Sequence, residues 1–469
     1  MQREREEVAY FDRERFSAFL DNLIFEGVAT SEILNVIDDE MIEKLNRMEW
    51  KPDTVQAIPG ISSAVAFYGE HYTTPETIRQ NALNRLNGQY PDEEIELIQP
   101  DKGFPEIYQI PLGFTEPQRM LLQQFVAQEI LQNSYEGLGV TAEDVDLFII
   151  TCSIPIQEDW AERISRMMGI PIEKMIIYHK ACNSTGSAIF DVHNHEYDDE
   201  LRERVEGFDL GERAVISTIA IEDANSITGK SDKMSPLLFA TAVGATTFEY
   251  SPLPNRGPLT LVTGIQKDIE EGAQHLRYQK TYDEKNWPQY REKYRVIESK
   301  FLQSPPEGWL VDMNGPESGV YFRVNGIELT KEVLTEFAKV LSAADENFDF
   351  RIEEGDKKGE FDLTKYVQFI KKAIVHHPSH VVFDNLGKRL TQPNFGIGFK
   401  TEQVPFVIPE GNAPSVIIHI ALARQLNDGE FGEGIKDGDK FMILSFGAGG
   451  SFTCAIYEYT DVSKLPAAA

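Results

Sequence analysis

In the stretch MIIYHKACNSTGS, residues 175–187, an apolar strand runs straight into a run of small residues. Met175 to His179 has the continuous apolar character of a strand covered on both faces. Asn183, Ser184, Thr185, Gly186 and Ser187 suit the first turn of a closely packed helix. Cys182 stands at the junction, so the strand delivers its thiol to a helix N-terminus. Unsatisfied N–H groups and the helix dipole there favour a thiolate, which attacks a carbonyl carbon well and later leaves it well. A small side chain buried for packing fits the same pattern. Cys152, at a strand end, and Cys454, inside a strand, suit that plainer role better.

Outward from this junction the chain alternates strand and helix. Ile61–Tyr68, the DVDLFIIT run ending at Thr151 and Ala214–Ile221 read as buried strands, and Glu116–Ser134 and Glu158–Met168 as helices. Residues 256–318, rich in Gln, Tyr, Lys and Glu, break the rhythm and read as an insertion or connection containing a polar helix. A strand at 321–325, a helix from about Thr330 to Ala343 and an acidic loop follow. A helix from Leu363 to Lys372 then leads to a strand ending at Val375, a helix past Ser379 and a helix from Ala413 to Leu426. Strands at 441–446 and 452–457 close the chain, joined by Gly447-Ala448-Gly449-Gly450-Ser451. Residues 1–57 read as a helical extension, with Phe16, Phe19, Leu20 and Leu23 at helical spacing and Ser31 as cap of a second segment. This predicts an α/β chain in four parts: an extension (1–57), a half carrying Cys182 (58–255), the irregular middle (256–318) and a second half (319–469).

Composition narrows the function. Seventy-six acidic against 45 basic residues give a net charge of −31, a field that repels nucleic acid and anionic membrane surfaces. Three widely spaced cysteines provide neither a disulfide framework nor a CxxC metal pattern, which favours a reducing compartment. The charged N-terminus lacks the apolar core of a signal peptide, and no apolar run approaches the ~18 residues of a membrane span. A cytoplasmic protein is expected.

Three further segments could hold reactive groups. AIVHHPSH delivers His376, His377 and His380 from a strand into a turn; acid–base or hydrogen-bonding work fits one of them better than a metal site, because no matching ligand spacing accompanies them. Asn412, in PEGNAPS, precedes an apolar helix and is either a cap or a side chain turned to other use. The Gly447–Ser451 loop is either a tight hairpin or a place where backbone N–H groups approach a substrate oxygen. It has no nucleotide-loop pattern.

Taken together, DVDLFIITCS (144–153), KACNSTGSA (180–188), VNGIELTKEV (324–333), AIVHH (373–377), EGNAPS (410–415) and DGDKFMILSFGAGG (437–450) resemble the thiolase superfamily. Within it the chain looks like the β-ketoacyl-acyl-carrier-protein synthase III type, with 3-hydroxy-3-methylglutaryl-CoA synthases as cousins. The likeness covers roughly residues 58–460. It implies a thiolase-like duplicated five-layer αβαβα fold, here with the N-terminal helical extension, and a homodimer. It assigns Cys182 as the acyl-accepting nucleophile, His376 as the catalytic histidine because it directly follows strand-end Val375, and Asn412 as a second hydrogen-bond donor. Ala448 and Gly449, with the backbone at Cys182, would form the oxyanion hole. The Asn412–His376 separation of 412 − 376 = 36 is family-like; the His376–Cys182 separation of 376 − 182 = 194 is long, and the irregular middle accounts for the surplus.

The implied activity is acyl transfer from a thioester through acyl-Cys182, followed by decarboxylative Claisen condensation, as in lipid or polyketide biosynthesis. No cofactor or metal is implied beyond acyl-CoA or acyl carrier protein as the substrate's carrier; both are anionic, so an entrance for either needs a local basic patch. Transfer to an alcohol or amine is the alternative chemistry, and a non-catalytic partner subunit the alternative role. A papain-like protease shares the Cys…His…Asn order, but a buried strand leading into the cysteine fits it poorly.

Overall fold

The computed structural model describes residues 9–10, 13–25, 37–86, 104–153, 158–194, 213–223, 235–253, 255–269, 276–280, 295–299, 320–324, 335, 367–377, 380–391, 398–447 and 450–465. The strands are β1 (Ala9–Tyr10), β2 (Glu49–Ile58), β3 (Ile61–Tyr72), β4 (Ile107–Gln109), β5 (Val145–Thr151), β6 (Met175–His179), β7 (Ala214–Asp223), β8 (Thr241–Tyr250), β9 (Leu259–Asp268), β10 (Leu276–Lys280), β11 (Val296–Glu298), β12 (Val320–Val324), β13 (Ile370–Val375), β14 (Lys440–Gly447) and β15 (Ser451–Tyr459). The helices used below are α1 (Arg13–Phe25), α2 (Asp39–Leu45), α3 (Pro75–Leu86), α4 (Glu116–Leu138), α5 (Glu158–Met168), α6 (Ser184–His193), α7 (His380–Thr391) and α8 (Ile417–Gln425).

Two sheets sandwich a pair of helices. The first has strand order β1-β2-β3-β8-β7-β5-β6-β11, with β4 added to the end of β3; the second has order β13-β14-β15-β9. In the first, β5 runs parallel to β6 and β7 and β6 parallel to β11, whereas β7, β8, β3 and β2 pair antiparallel. Between the sheets lie α6 and α8. Ser184–Val192 is buried throughout, as are Ile417–Ala423 and Gln425. Both helices are enclosed by the sheets, and buried polar side chains on them find hydrogen bonds there, as Asp191 of α6 does with the Tyr178 hydroxyl at 2.9 Å. Ile189 and Phe190 of α6, Ile417 and Ile420 of α8, Ile149 and Tyr178 of the first sheet and Ile443 and Tyr457 of the second share one core. A second core lies on the other face of the first sheet, under α1, α2, α4 and α5.

Local chemistry fixes the outer elements. A capping box between Thr115 and Gln118, with Pro117 in the first turn, starts α4, and Gly139 ends it at φ 77°. Phe16 and Phe19 of α1 each pack their rings 5.3 Å from Phe125 of α4, and Trp50 lies 5.8 Å from the same ring. The stretch assigned to a helical extension, 1–57, thus also contains β2, which pairs with β3 from Glu49↔Gly69 to Ile58↔Ile61. Ser31 lies outside the described residues.

Two further expectations change. The irregular middle, 256–318, opens with β9, a strand of the second sheet paired with β15 from Tyr459↔Leu259 to Ser451↔Asp268. It later returns β11 to the edge of the first sheet beside β6. The helix expected to run to Lys372 gives way to strand from Ile370. Lys371 and Lys372 imitate a helix's polar face, but among the described residues β13 is the end strand of its sheet, where Lys371 reaches Glu433 at 2.6 Å and buried Lys372 donates to Phe431 O at 2.7 Å. The helix expected at 330–343 lies outside the described residues except Thr335. Among the described residues no helix is long and apolar enough to cross a membrane.

Candidate active site

Cys182 occupies the short turn between β6 and α6 and is buried. The turn is strained: Ala181 has φ 50°, a left-handed conformation that costs a non-glycine residue roughly 1–2 kcal/mol. Hydrogen bonds hold it. Lys180 N–H donates to Ser184 Oγ at 2.8 Å, and that hydroxyl lies 2.7 Å from both Cys152 O and Ala181 O. The Asn183 amide donates to Ser187, Ser451 and Thr453 at 2.8–3.0 Å, and Ser445 Oγ donates to Cys182 O at 3.4 Å. The polar side chains around the cysteine therefore fasten its backbone to β5 and β15.

The end of β14 touches this turn directly. A Cβ on Gly447 would lie 2.6 Å from Lys180 O, 2.7 Å from Asn183 N and 3.0 Å from Cys182 N. Only glycine permits that approach. The predicted oxyanion pair, Ala448 and Gly449, lies outside the described residues; Gly450, at φ 69°, resumes the chain.

His376 follows β13 and extends its ladder, donating N–H to Leu444 O of β14 at 2.9 Å. Its ring stands edge-on to Phe446, centroids 4.9 Å apart, next to Gly447. His376 Nδ1 is buried with no hydrogen-bond partner among the described residues. Burial, then the neighbouring His377, lowers its pKa to about 3, so the imidazole is neutral at neutral pH. His377 is differently engaged. Its Nδ1–H donates to Val375 O at 2.6 Å, Nε2 accepts from Val407 N–H at 3.4 Å, and its ring stacks on Phe383 at 3.9 Å. Both its nitrogens have partners within the fold. His380 opens α7.

Asn412 is buried in a turn clamped at both ends. Its N–H donates to Leu238 O at 2.7 Å and its carbonyl accepts from Ala240 N–H at 2.9 Å. Gly411, at φ 109°, makes the turn possible, and Arg424 grips the preceding Glu410 through two bonds of 2.8 Å. Three residues on, Ser415 O accepts from Thr185 Oγ1 at 2.6 Å, which docks this turn on the first turn of α6. The structure thus brings the turns of Cys182 and Asn412 together, with His376 beside the strand that meets the cysteine. The other thiols are packing residues: Cys152 Sγ donates to Tyr178 O at 3.5 Å, and burial pushes Cys454 far above the ordinary thiol range.

A buried polar network beneath the site has no counterpart in the sequence-based expectations. His419 of α8, also held neutral by burial with a pKa of about 3, bridges Thr246 at 2.8 Å and Thr185 at 3.3 Å. Glu222, near the end of β7, accepts from Ser153 N–H at 2.9 Å, from Ser415 N–H at 3.1 Å and from Ser415 Oγ. The sequence signal was an acidic residue closing an otherwise apolar strand, AVISTIAIED. Among the described residues no group of three His, Cys, Asp or Glu could hold a metal ion.

No protein-family model matches the chain, and no curated protein matches it. Solved structures do. The chain is similar to β-ketoacyl-(acyl carrier protein) synthase III from Thermus thermophilus, with 17% identity and TM-score 0.54, covering 87% of this chain and 100% of that one. It is similar to OleA from Xanthomonas campestris at 13% identity and TM-score 0.54, covering 87% and 99%. It is likewise similar to tetrahydroxynaphthalene synthase, a type III polyketide synthase from Streptomyces coelicolor, at 16% identity and TM-score 0.52, covering 87% and 99%. At these identities the likeness establishes the fold: a thiolase-like α/β architecture built on two sheets.

Proposed function

We propose that this chain is an acyltransferase that forms acyl-Cys182 from an acyl thioester and completes turnover by decarboxylative Claisen condensation. The observation that carries the reading is the meeting of three segments at one place. The Cys182 backbone lies against Gly447, His376 stands beside Phe446 on that same strand, and the Asn412 turn is docked on the helix that follows the cysteine. Fold likeness to synthases of this kind supports it.

In the first half-reaction the Cys182 thiolate attacks the thioester carbonyl. Backbone N–H groups stabilise the oxyanion, and the carrier thiolate leaves and takes up a proton. In the second, a malonyl-type thioester loses carbon dioxide, and its enolate carbon attacks the acyl-Cys182 carbonyl. A C–C bond forms, the C–S bond breaks and the cysteine thiolate is regenerated. His376 and the Asn412 amide donate hydrogen bonds to the enolate oxygen. A neutral imidazole suits that donor role, because it offers N–H without burying a charge. The carrier, CoA or acyl carrier protein, reaches the thiol from solution, and the functional unit is a homodimer in the cytoplasm.

Intact-protein mass spectrometry after mixing with a panel of acyl-CoAs and acyl carrier proteins tests the reading. The expected result is one acyl mass added to the wild type and none to Cys182→Ala. An adduct that persists in Cys182→Ala, or its absence from the wild type across the panel, overturns the acyl-enzyme. Products of added alcohols or amines, without any from a malonyl thioester, would replace condensation by ester or amide formation.

A further inference from the structure

Glu222 is a buried carboxyl that the reaction scheme above does not use. It is the penultimate residue of β7 and fully enclosed. β7 runs parallel to β5 in register Thr151↔Ala220, so Glu222 lies just past the end of β5, level with Cys152 and Ser153. Among the described residues its hydrogen bonds fall on one oxygen, Oε1, and they come from two different segments: Ser153 N–H at 2.9 Å, Ser415 N–H at 3.1 Å and Ser415 Oγ. Oε2 is buried with no hydrogen-bond partner among the described residues.

Each segment it joins leads to a residue of the site. Ser153 follows Cys152, whose carbonyl receives Ser184 Oγ at 2.7 Å, the hydroxyl that also receives Lys180 N–H in the cysteine turn. Ser415 lies three residues past Asn412, on the turn whose carbonyl receives Thr185 Oγ1. The carboxyl is thus a pin shared by the strand end that braces Cys182 and the turn that carries Asn412. We propose that Glu222 is a positioning residue for the second half-reaction, fixing the Asn412 turn against the Cys182 turn through Ser415 and Ser153. The proposal rests on the acyl-Cys182 reading and deepens it.

Burial raises the Glu222 pKa, and among the described residues no cation pairs with it. A buried acceptor without a cation is costly unless its hydrogen bonds secure a particular geometry. The geometry secured here is the approach of two turns that act in different half-reactions. Losing it moves the Asn412 amide while leaving the cysteine, still held by Ser184 and Asn183, able to load.

The test separates the two steps. Loading is followed as the rate of the acyl mass increase on Cys182, and discharge as its loss when a malonyl thioester is added. In Glu222→Ala, loading stays within about 3-fold of wild type and discharge falls roughly 10–100-fold, the range set by loss of a charge-assisted hydrogen bond. Glu222→Gln, which keeps the accepting oxygen, restores discharge to within about 5-fold. Ser415→Ala removes one donor only, gives the same asymmetry at smaller size, and decides the matter if Glu222→Ala fails to fold. Equal loss of both steps, no loss of either, or Glu222→Gln falling as far as Glu222→Ala overturns the positioning role while leaving the acyl-enzyme intact. A wild type that never loads, or loads but is never discharged by the malonyl thioester, overturns the functional reading itself.

Discussion

Where β6 ends, the polar side chains of Ser184 and Asn183, with Ser445 from β14, all hold the backbone of the turn that carries Cys182. Where β13 ends, the arrangement is the reverse. His377 uses both ring nitrogens inside the fold, while His376, one residue earlier, is held by its backbone bond to Leu444 and the edge of Phe446, and its Nδ1 has no partner among the described residues. The first region fixes a position; the second leaves hydrogen-bonding capacity open. In the proposed reaction a nucleophile in this strained turn needs its backbone held, because any relaxation of Ala181 would swing the sulfur away. A donor to a charge that exists only in the transition state must not already be satisfied by the protein.

The largest effect that could break this contrast comes from exchanging the roles of the two histidines. Removing a donor at such a site costs about 2.7–4 kcal/mol in the transition state, so His376→Ala and Asn412→Ala should each slow discharge of the acyl-enzyme by roughly 10²–10³-fold. Thermal stability should change much less in His376→Ala than in His377→Ala, which removes two hydrogen bonds and a ring stack. Single-turnover discharge and Tm, measured on the same variants, settle it. A catalytic loss confined to His377→Ala would move the reactive position by one residue.

A smaller effect probes the cysteine side. Gly447→Ala puts a methyl group 2.6 Å from Lys180 O and 3.0 Å from Cys182 N, backbone atoms that cannot turn aside. Overpacking of this kind typically costs about 1–3 kcal/mol of stability. Loading should slow, because the displaced segment is the cysteine turn itself, whereas Gly387→Ala, in α7 with nothing within 4 Å of the new methyl, should raise stability by roughly 0.5–1 kcal/mol. Equal Tm and loading for the two variants would mean that β14 and the cysteine turn are not in contact in solution.

Much of this architecture was legible in the sequence, for reasons that can be named. The strand-to-helix junction at Cys182 stood out because only Lys180, Ala181 and Cys182 separate the strand pattern of Met175–His179 from the five small residues Asn183–Ser187. The β14–β15 pair stood out because its apolar runs flank a glycine loop. β2 and β9 were missed because neither has a continuous apolar run: β2 carries Lys51, Pro52 and Asp53, and β9 is only half-buried along most of its length. Partial exposure dilutes the pattern on which strand assignment depends. The pairing of Glu222 with Ser153 and Ser415 was beyond reach for a different reason, although the acidic end of AVISTIAIED marks Glu222 itself. The three residues are far apart in sequence, and nothing local to any of them says that the chain will fold one carboxyl oxygen between two serines.

The smallest effect concerns stability, and it tests whether the two strand-end histidines and His419 share one environment despite their different partners. Burial lowers the pKa of His376, His377 and His419 alike to about 3, against an ordinary value of 6.5. Above pH 6.5 neither the folded nor the unfolded chain protonates these rings, and they make no pH-dependent contribution. As pH falls below 6.5, only the unfolded chain takes up their protons, so stability is lost progressively until pH approaches 3, where the folded rings protonate too. Within that window each histidine contributes a slope of up to about 1.4 kcal/mol per pH unit. Replacing His377 by Phe removes one of the three, so the slope of unfolding free energy between pH 6 and pH 5 should become shallower than in the wild type, whatever the substitution does to stability at pH 7. Urea denaturation at those pH values measures it. An unchanged slope would place His377 in contact with solvent, and the contrast with His376 would then lose its structural half.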